Sequence, residues 1–296
     1  MTLIKTILCP VDFSSFSRNA LDHAAAIGLW YDATVTALHV LPPVTAFIPA
    51  AGEGLYPPLV FSDEDLRQFR DELDAYAQQS GVAHIVSEVV QGSVVREIVR
   101  RANELPADLL VMGTHGRSGF DRLMLGSATE TLLHRAPCPV LTVPAHAPDA
   151  SPVSAPFIRV LCAVDFSPAS LRALALAESL AGEAAANLTV IHVLEPVSAS
   201  EPVAVAPDGL PVSGDQLRAA RHRLEELVKP DTRAFADVGE TVAVGKPYLE
   251  ILRAAAEQRS DLIVLGVHGR HGLARFGSTT THVVREAECP VLTVQA

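Results

Sequence analysis

Cys9-Pro10-Val11-Asp12-Phe13-Ser14 decides how this chain is read, because Cys162-Ala163-Val164-Asp165-Phe166-Ser167 repeats it 153 residues later. Working outward, the same offset carries His39-Val40 to His192-Val193, Gly92 to Gly245, Gly113 to Gly266 and Gly116 to Gly269. Beyond those glycines the offset falls to 151. Gly126-Ser127 becomes Gly277-Ser278, and Cys138-Pro139-Val140-Leu141-Thr142-Val143 becomes Cys289-Pro290-Val291-Leu292-Thr293-Val294. A constant offset with one two-residue slip means two copies of one unit, the second carrying a deletion. A unit of about 150 residues is far longer than a solenoid repeat, so each copy is expected to bury its own core. The reading gives a first domain over 1–145, a linker over 146–156 rich in Pro and Ser, and a second domain over 157–296.

Composition narrows the class. Hydrophobic residues make up 49% of the 296 but aromatic ones only 5%, so the core must be Ala, Val, Leu and Ile. That mix suits parallel strands covered on both faces. The net charge of −11 argues against a general nucleic-acid or anionic-membrane surface. No run of 18 apolar residues exists to span a membrane. Lys5 and the polar stretch from Asp12 interrupt the N-terminus too early for a signal peptide, so a cytoplasmic protein is expected. The four cysteines (Cys9, Cys138, Cys162, Cys289) match pairwise between the copies and form no Cys-x2-Cys. They read as reduced core thiols.

Hydrophobic periodicity alternates along each copy. In the first, strands are expected over 3–11, 33–41, 82–90, 108–112 and 140–143. Helices are expected over 15–31, from Ser62 to Ser80, over 93–103 and from Ser127. The second copy repeats this order from Ile158 to Val294. The fold class is therefore α/β, each half a five-stranded parallel sheet with helices on both faces. In such sheets ligands bind beyond the carboxyl ends of the strands, where the strand order reverses. Asp12, Val40 and Gly113 fall at those ends.

The chemistry concentrates in Gly113-Thr114-His115-Gly116-Arg117, running on to Gly126-Ser127. Glycines let backbone N–H groups approach an anion with no Cβ in the way. Gly126-Ser127 then opens a helix whose N-terminus favours negative charge. Ser127 and Glu130 also have capping-box spacing, so Ser127 has a purely structural reading as a cap.

The spacing Gly113-x2-Gly116-x9-Gly126-Ser127, with Val11-Asp12-Phe13-Ser14 and Leu38-His39-Val40, resembles the universal stress protein family over nearly the whole chain. The resemblance implies two tandem Rossmann-like, adenine-nucleotide-hydrolase-like domains acting as a nucleotide-dependent stress-response regulator. It implies ATP as the ligand, with Asp12 and Val40 at the adenosine and Gly113, Gly116, Gly126 and Ser127 at the phosphates. It also implies Mg or Mn on the phosphates, held mainly by the nucleotide because no carboxylate cluster marks a metal site. The corresponding second-copy residues are Asp165, Val193, Gly266, Gly269, Gly277 and Ser278. There the spacing is Gly-x2-Gly-x7-Gly-Ser, and two fewer residues shorten the loop's reach by up to ~7 Å. ATP is thus expected chiefly in the first domain. Family members commonly dimerise through the last strand, so the two halves are expected to pair those edges within one chain, with a homodimer of whole chains left open.

His115 and Arg117 are further candidate phosphate contacts, His115 in an orienting role. His39 and His192 read as packed core histidines, and Lys246 as a candidate compensation for the shortened loop. No Walker A lysine, Gly-x-Ser-x-Gly elbow or kinase signature is present. Two alternatives to pure nucleotide binding stand beside it. One is slow ATP hydrolysis or autophosphorylation at Ser127 or Ser118. The other is a partner-binding protein with vestigial sites and Pro-rich loops at 42–60 and 195–214.

Overall fold

The computed structural model describes residues 4–43, 61–80, 85–115, 125–147, 157–195, 212–228, 236–267 and 278–295. The first half runs β1 (Thr6–Pro10), α1 (Ser15–Tyr31), β2 (Thr34–Leu41), α2 (Asp63–Gln78), β3 (Ile85–Gln91), α3 (Val94–Glu104), β4 (Leu109–Gly113), α4 (Ser127–Arg135) and β5 (Val140–Val143). The second runs β6 (Arg159–Ala163), α5 (Pro168–Ala184), β7 (Asn187–Leu194), α6 (Gly214–Leu227), β8 (Asp237–Val244), α7 (Pro247–Gln258), β9 (Leu262–Val267), α8 (Ser278–Glu286) and β10 (Val291–Gln295). β1 begins three residues later than its apolar run, and Val40 lies inside β2 rather than beyond it.

The ten strands form one sheet in the order β3-β2-β1-β4-β5-β10-β9-β6-β7-β8. Neighbours are parallel within each half, and β5 and β10 pair antiparallel where the halves meet. Strand alternation sorts the core into two layers. Ile7, Cys9, Leu109 and Val111 pack with Ala20, Leu21 and Ile27 of α1 and Leu73 of α2 on one face. Leu8, Leu110 and Met112 pack with Ile98 of α3 and Leu132 and Leu133 of α4 on the other. All four cysteines are buried free thiols. Burial pushes Cys138 and Cys289 each up to about 12, and Cys9 and Cys162 further.

His146 and Ala147, read as the start of the linker, form a turn in which Ala147 donates its N–H to Pro144 O at 3.1 Å, and Ala147 is buried. Among the described residues no helix is long and apolar enough to cross a membrane.

Candidate functional site

Strand order in each half reverses between the first and fourth strands, β1 and β4 in one, β6 and β9 in the other. The turn after β1 is built by Asp12. Its Oδ1 accepts from Ser14 N–H at 3.0 Å and from Ser14 Oγ–H at 2.6 Å, an Asx turn leading into α1. Ser14 Oγ in turn caps α1 by accepting from Ser17 N–H at 3.2 Å. Between them Phe13 is held at φ 62°, and its repeat partner Phe166 at φ 64°. Left-handed backbone at a bulky aromatic costs on the order of 1–3 kcal/mol and persists only where the surroundings over-determine it. Here the Phe13 ring packs against His39, centroids 4.7 Å apart, and edge-on to Tyr76 at 5.2 Å. His39 is buried and its Nδ1 lies 2.6 Å from Val11 O, which pins the end of β2 to the end of β1. The packed reading of His39 therefore holds, and the same ring also lines the cavity described next. His192 repeats the contact with Val164 O at 2.8 Å.

A cavity of about 540 Å³ opens over this turn. Asp12, Val40, Gly113, His115, Gly126 and Ser127 all line it, so six of the first-half residues singled out in the sequence come together. Phe69 of α2, Ile98 of α3, Met112 and Ser17 complete its walls and were not singled out. Gly116 and Arg117 lie outside the described residues, as do Gly269 and Gly277 and the side chain of Ser278.

Gly113 has a packing role besides the one expected of it. The Cβ that Gly113 lacks would stand 2.9 Å from Phe16 Cβ and 3.0 Å from Phe16 O. Glycine is required there so that the first turn of α1 can press against β4, whatever the ligand. Ser127 is not a cap. Gly126 is the N-cap of α4, with no side-chain bond to the helix, and Ser127 is its first helical residue. Gly126 N–H is bound to Thr114 O at 3.0 Å, and Thr129 Oγ1–H donates to Gly113 O at 3.0 Å, which fixes the helix start against β4. The remaining first-turn N–H groups thus receive no acceptor from a cap, and Ser127 and Ala128 line the cavity. That end of the helix attracts negative charge.

The second half repeats the plan on a smaller scale. Asp165 Oδ1 accepts from Ser167 N–H at 2.9 Å, and Asp165, Val193 and Gly266 line a cavity of about 210 Å³ with Thr279 and Thr280. Several wall residues differ between the two: Glu195 stands where Pro42 does in the first half, Pro247 where Val94 does and Leu265 where Met112 does. With the N-caps Ser62 and Ser213 aligned, Ala220 of α6 holds the place of Phe69 of α2. Lys246 is the exposed N-cap of α7 and is not among the described residues lining that cavity.

The family model for universal stress proteins matches residues 3–144 and again 156–295. The chain belongs to that family. A universal stress protein of Mycolicibacterium smegmatis is 29% identical over 296 residues, which is 98% of this chain and 96% of that one. One from Methanocaldococcus jannaschii is 36% identical over 142 residues, 48% of this chain and 82% of its own length. Among solved structures, a universal stress protein from Archaeoglobus fulgidus superposes with a TM-score of 0.68 at 23% identity, covering 98% of both chains. The tandem universal stress protein fold thus accounts for the whole chain. Phe69 and Glu195 escaped the sequence reading because neither belongs to a motif.

Proposed function

We propose that this tandem universal stress protein binds ATP in its first domain and acts as a nucleotide-dependent stress-response regulator in the cytoplasm. The observation that carries the reading is the first-half cavity, about 540 Å³ at the strand switch point with the uncapped start of α4 in its wall. Ligand pockets run from about 300 to 1,000 Å³, so this volume suits a nucleotide while the second cavity, at about 210 Å³, falls below the range. Asp12 and Val40 would hold the adenosine. Gly113, Gly126, Ser127 and the α4 N-terminus would hold the phosphates, with Gly116 and Arg117 from the loop between. Among the described residues no three His, Cys, Asp or Glu side chains gather, so a Mg or Mn ion would rest on the phosphates themselves. The domain limits of 1–145 and 157–296 belong to the same reading. In the second site, Asp165, Val193, Gly266, Gly269, Gly277 and Ser278 would meet a triphosphate only across the Glu195 carboxylate.

Denaturing extraction of freshly purified protein, with released nucleotide identified and counted, tests this. One ATP per chain is expected. Ser127→Glu is expected to abolish it without loss of fold, because a carboxylate at the first turn favours the helix by roughly 0.3–1 kcal/mol while repelling a phosphate. Two nucleotides per chain would overturn the first-domain emphasis, and an empty chain that ignores added ATP would overturn the reading entirely.

A further inference from the structure

The repeat diverges again at the amino ends of the strands, the end of the sheet opposite both cavities described above. Two positions there are kept between the halves. Asp108 accepts from Lys5 N–H at 2.8 Å and Thr6 N–H at 3.0 Å, and Asp261 accepts from Ile158 N–H at 3.1 Å and Arg159 N–H at 2.9 Å, so each fastens a neighbouring strand. Cys138 and Cys289 are both buried. Around them, Thr6 becomes Arg159, Pro106 becomes Arg259, Arg135 becomes Glu286 and Pro137 becomes Glu288. The same strands and helices form in the first half without these charges.

In the second half the charges surround a groove of about 520 Å³ lined by Leu252, Ala255, Ile263 and Ala287. α7 packs over β6 and β7, and α8 over β9. Arg159, the first residue of β6, and Arg259, the C-cap of α7, therefore lie on one side. Glu286 and Glu288, between α8 and β10, lie on the other, with His146 of the turn after β5. β6 and β10 flank β9, so the two sides stand about 10 Å apart, two strand spacings of ~4.8 Å. Among the described residues no salt bridge joins either guanidinium to a carboxylate, and Glu288 has none either. Glu286 is shared with Arg285 at 2.5 Å and His282 at 3.0 Å. Asp261 adds a charge beside Arg159, but both its oxygens already accept backbone N–H groups. Opposite charges are thus held apart over an apolar floor, the complement of a ligand with opposite charges at two ends of an apolar body.

We propose that this groove binds a short apolar peptide with free termini, its carboxylate toward Arg159 and Arg259 and its ammonium toward Glu288. A single α-amino acid keeps both charges on one carbon. One more residue lengthens the ligand by ~3.5 Å, enough with a hydrogen bond of ~3 Å at each end to bridge the two sides. Arg159, Arg259 and Glu288 are exposed, so they can meet the peptide without disturbing the core. The site does not depend on nucleotide binding at the other end of the sheet.

The test titrates the full chain calorimetrically with leucyl-leucine, its N-acetyl form and its C-terminal amide. The free dipeptide should bind at millimolar concentration or below. The amide should bind about tenfold more weakly, having lost two exposed ion pairs, and the acetylated form severalfold more weakly, having lost one. Arg159→Thr, which copies the first half, and Arg259→Asn, which tolerates the left-handed C-cap, should each weaken the free dipeptide severalfold and leave the amide unchanged. Glu288→Lys should make the acetylated form bind at least as well as the free one. Saturating ATP should change none of these affinities. A wild-type chain that takes up no dipeptide at millimolar concentration, or that binds all three forms alike, would overturn the proposal. So would displacement of the dipeptide by ATP, which would place it in the first cavity. Circular dichroism confirms that each variant is folded, and the comparison of probes on the wild-type chain decides the matter even where a variant is not.

Discussion

Gly113 and Gly266 occupy the same place in the two halves, but the room around them differs. The missing Cβ of Gly113 meets Phe16 Cβ at 2.9 Å, whereas that of Gly266 would stand 2.3 Å from Ser170 N and 2.5 Å from Ala169 C. The first is a side-chain and carbonyl contact with limited give. The second is the backbone of α5's opening turn, which can yield only by lifting the helix. Overpacking of a close-packed interior costs about 1–3 kcal/mol, and more where backbone must move. Gly266→Ala is therefore expected to lower the urea midpoint clearly more than Gly113→Ala does. Equal losses would mean that the two helix starts press on their strands alike. The comparison also separates packing from ligand binding, because adding ATP should rescue neither substitution's packing cost.

At the scale of elements, α2 and α6 are started by the same device made from different atoms. Ser62 Oγ accepts from Asp65 N–H at 3.2 Å, and Asp65 Oδ2 accepts from Ser62 N–H at 2.8 Å. In α6, Ser213 Oγ accepts from Gln216 N–H at 3.2 Å, and Gln216 Oε1 accepts from Ser213 N–H at 2.9 Å. Hydrogen bonds from the Ser62 side chain and backbone hold the Asp65 carboxyl below its ordinary range. A carboxylate depressed in the folded state stabilises above its unfolded pKa, and that contribution is lost as pH falls through the folded one. Asp65→Ala should thus cost stability at neutral pH and progressively less on acidification, while the cost of Gln216→Ala stays level. Urea midpoints of both variants against wild type across the carboxylate range check this, and parallel pH profiles would refute it. These boxes also show what was legible in the chain. Ser62 before an acidic run marked the start of α2 because capping is a local matter of three residues. The 15–31 helix and the 140–143 strand were readable for the same reason, since periodicity and flanking polar residues set them. Ser127 with Glu130 has the same local look, yet Gly126 takes the cap. The choice between neighbouring registers is made by Thr114 O, which binds Gly126 N–H from a strand end twelve residues earlier. Phe69 and Glu195 were opaque for a similar reason: only the strand order brings α2 and the end of β7 over their respective cavities. Locally encoded features could be read, and features decided by which strand lies beside which could not.

The whole molecule turns on one seam. β5 and β10 pair antiparallel through Thr142 with Val291, Leu141 with Leu292 and Val140 with Thr293. Thr142 Oγ1–H donates to Val291 O at 3.1 Å, and Thr293 Oγ1–H donates to Val140 O at 3.1 Å, a reciprocal pair in which both threonines are fully buried. Such reciprocity is what a twofold relation between repeats produces, here inside one chain. The seam also removes one strand edge from each half, leaving β3 and β8 as the edges of the joint sheet. It is reinforced by side chains: Gln295 Nε2–H donates to Leu133 O at 3.0 Å, and Ile4, Leu141, Phe157, Leu180 and Leu292 belong to one core cluster. The contacts named here all lie outside residues 148–156, so an intact backbone there should be dispensable once the protein has folded. A chain with a protease site introduced at position 152 is expected, after cleavage, to elute from size exclusion as a single particle of unchanged size and to separate only in denaturant. Adding Leu141→Asp and Leu292→Asp sets two carboxylates face to face across the seam, a like-charge pair removed from water that costs several kcal/mol. That cleaved double variant should fall into two half-size species. Should the cleaved wild-type chain itself separate, the seam would be held by the connecting peptide rather than by the sheet, and the ten-stranded arrangement would not be a property of the two domains.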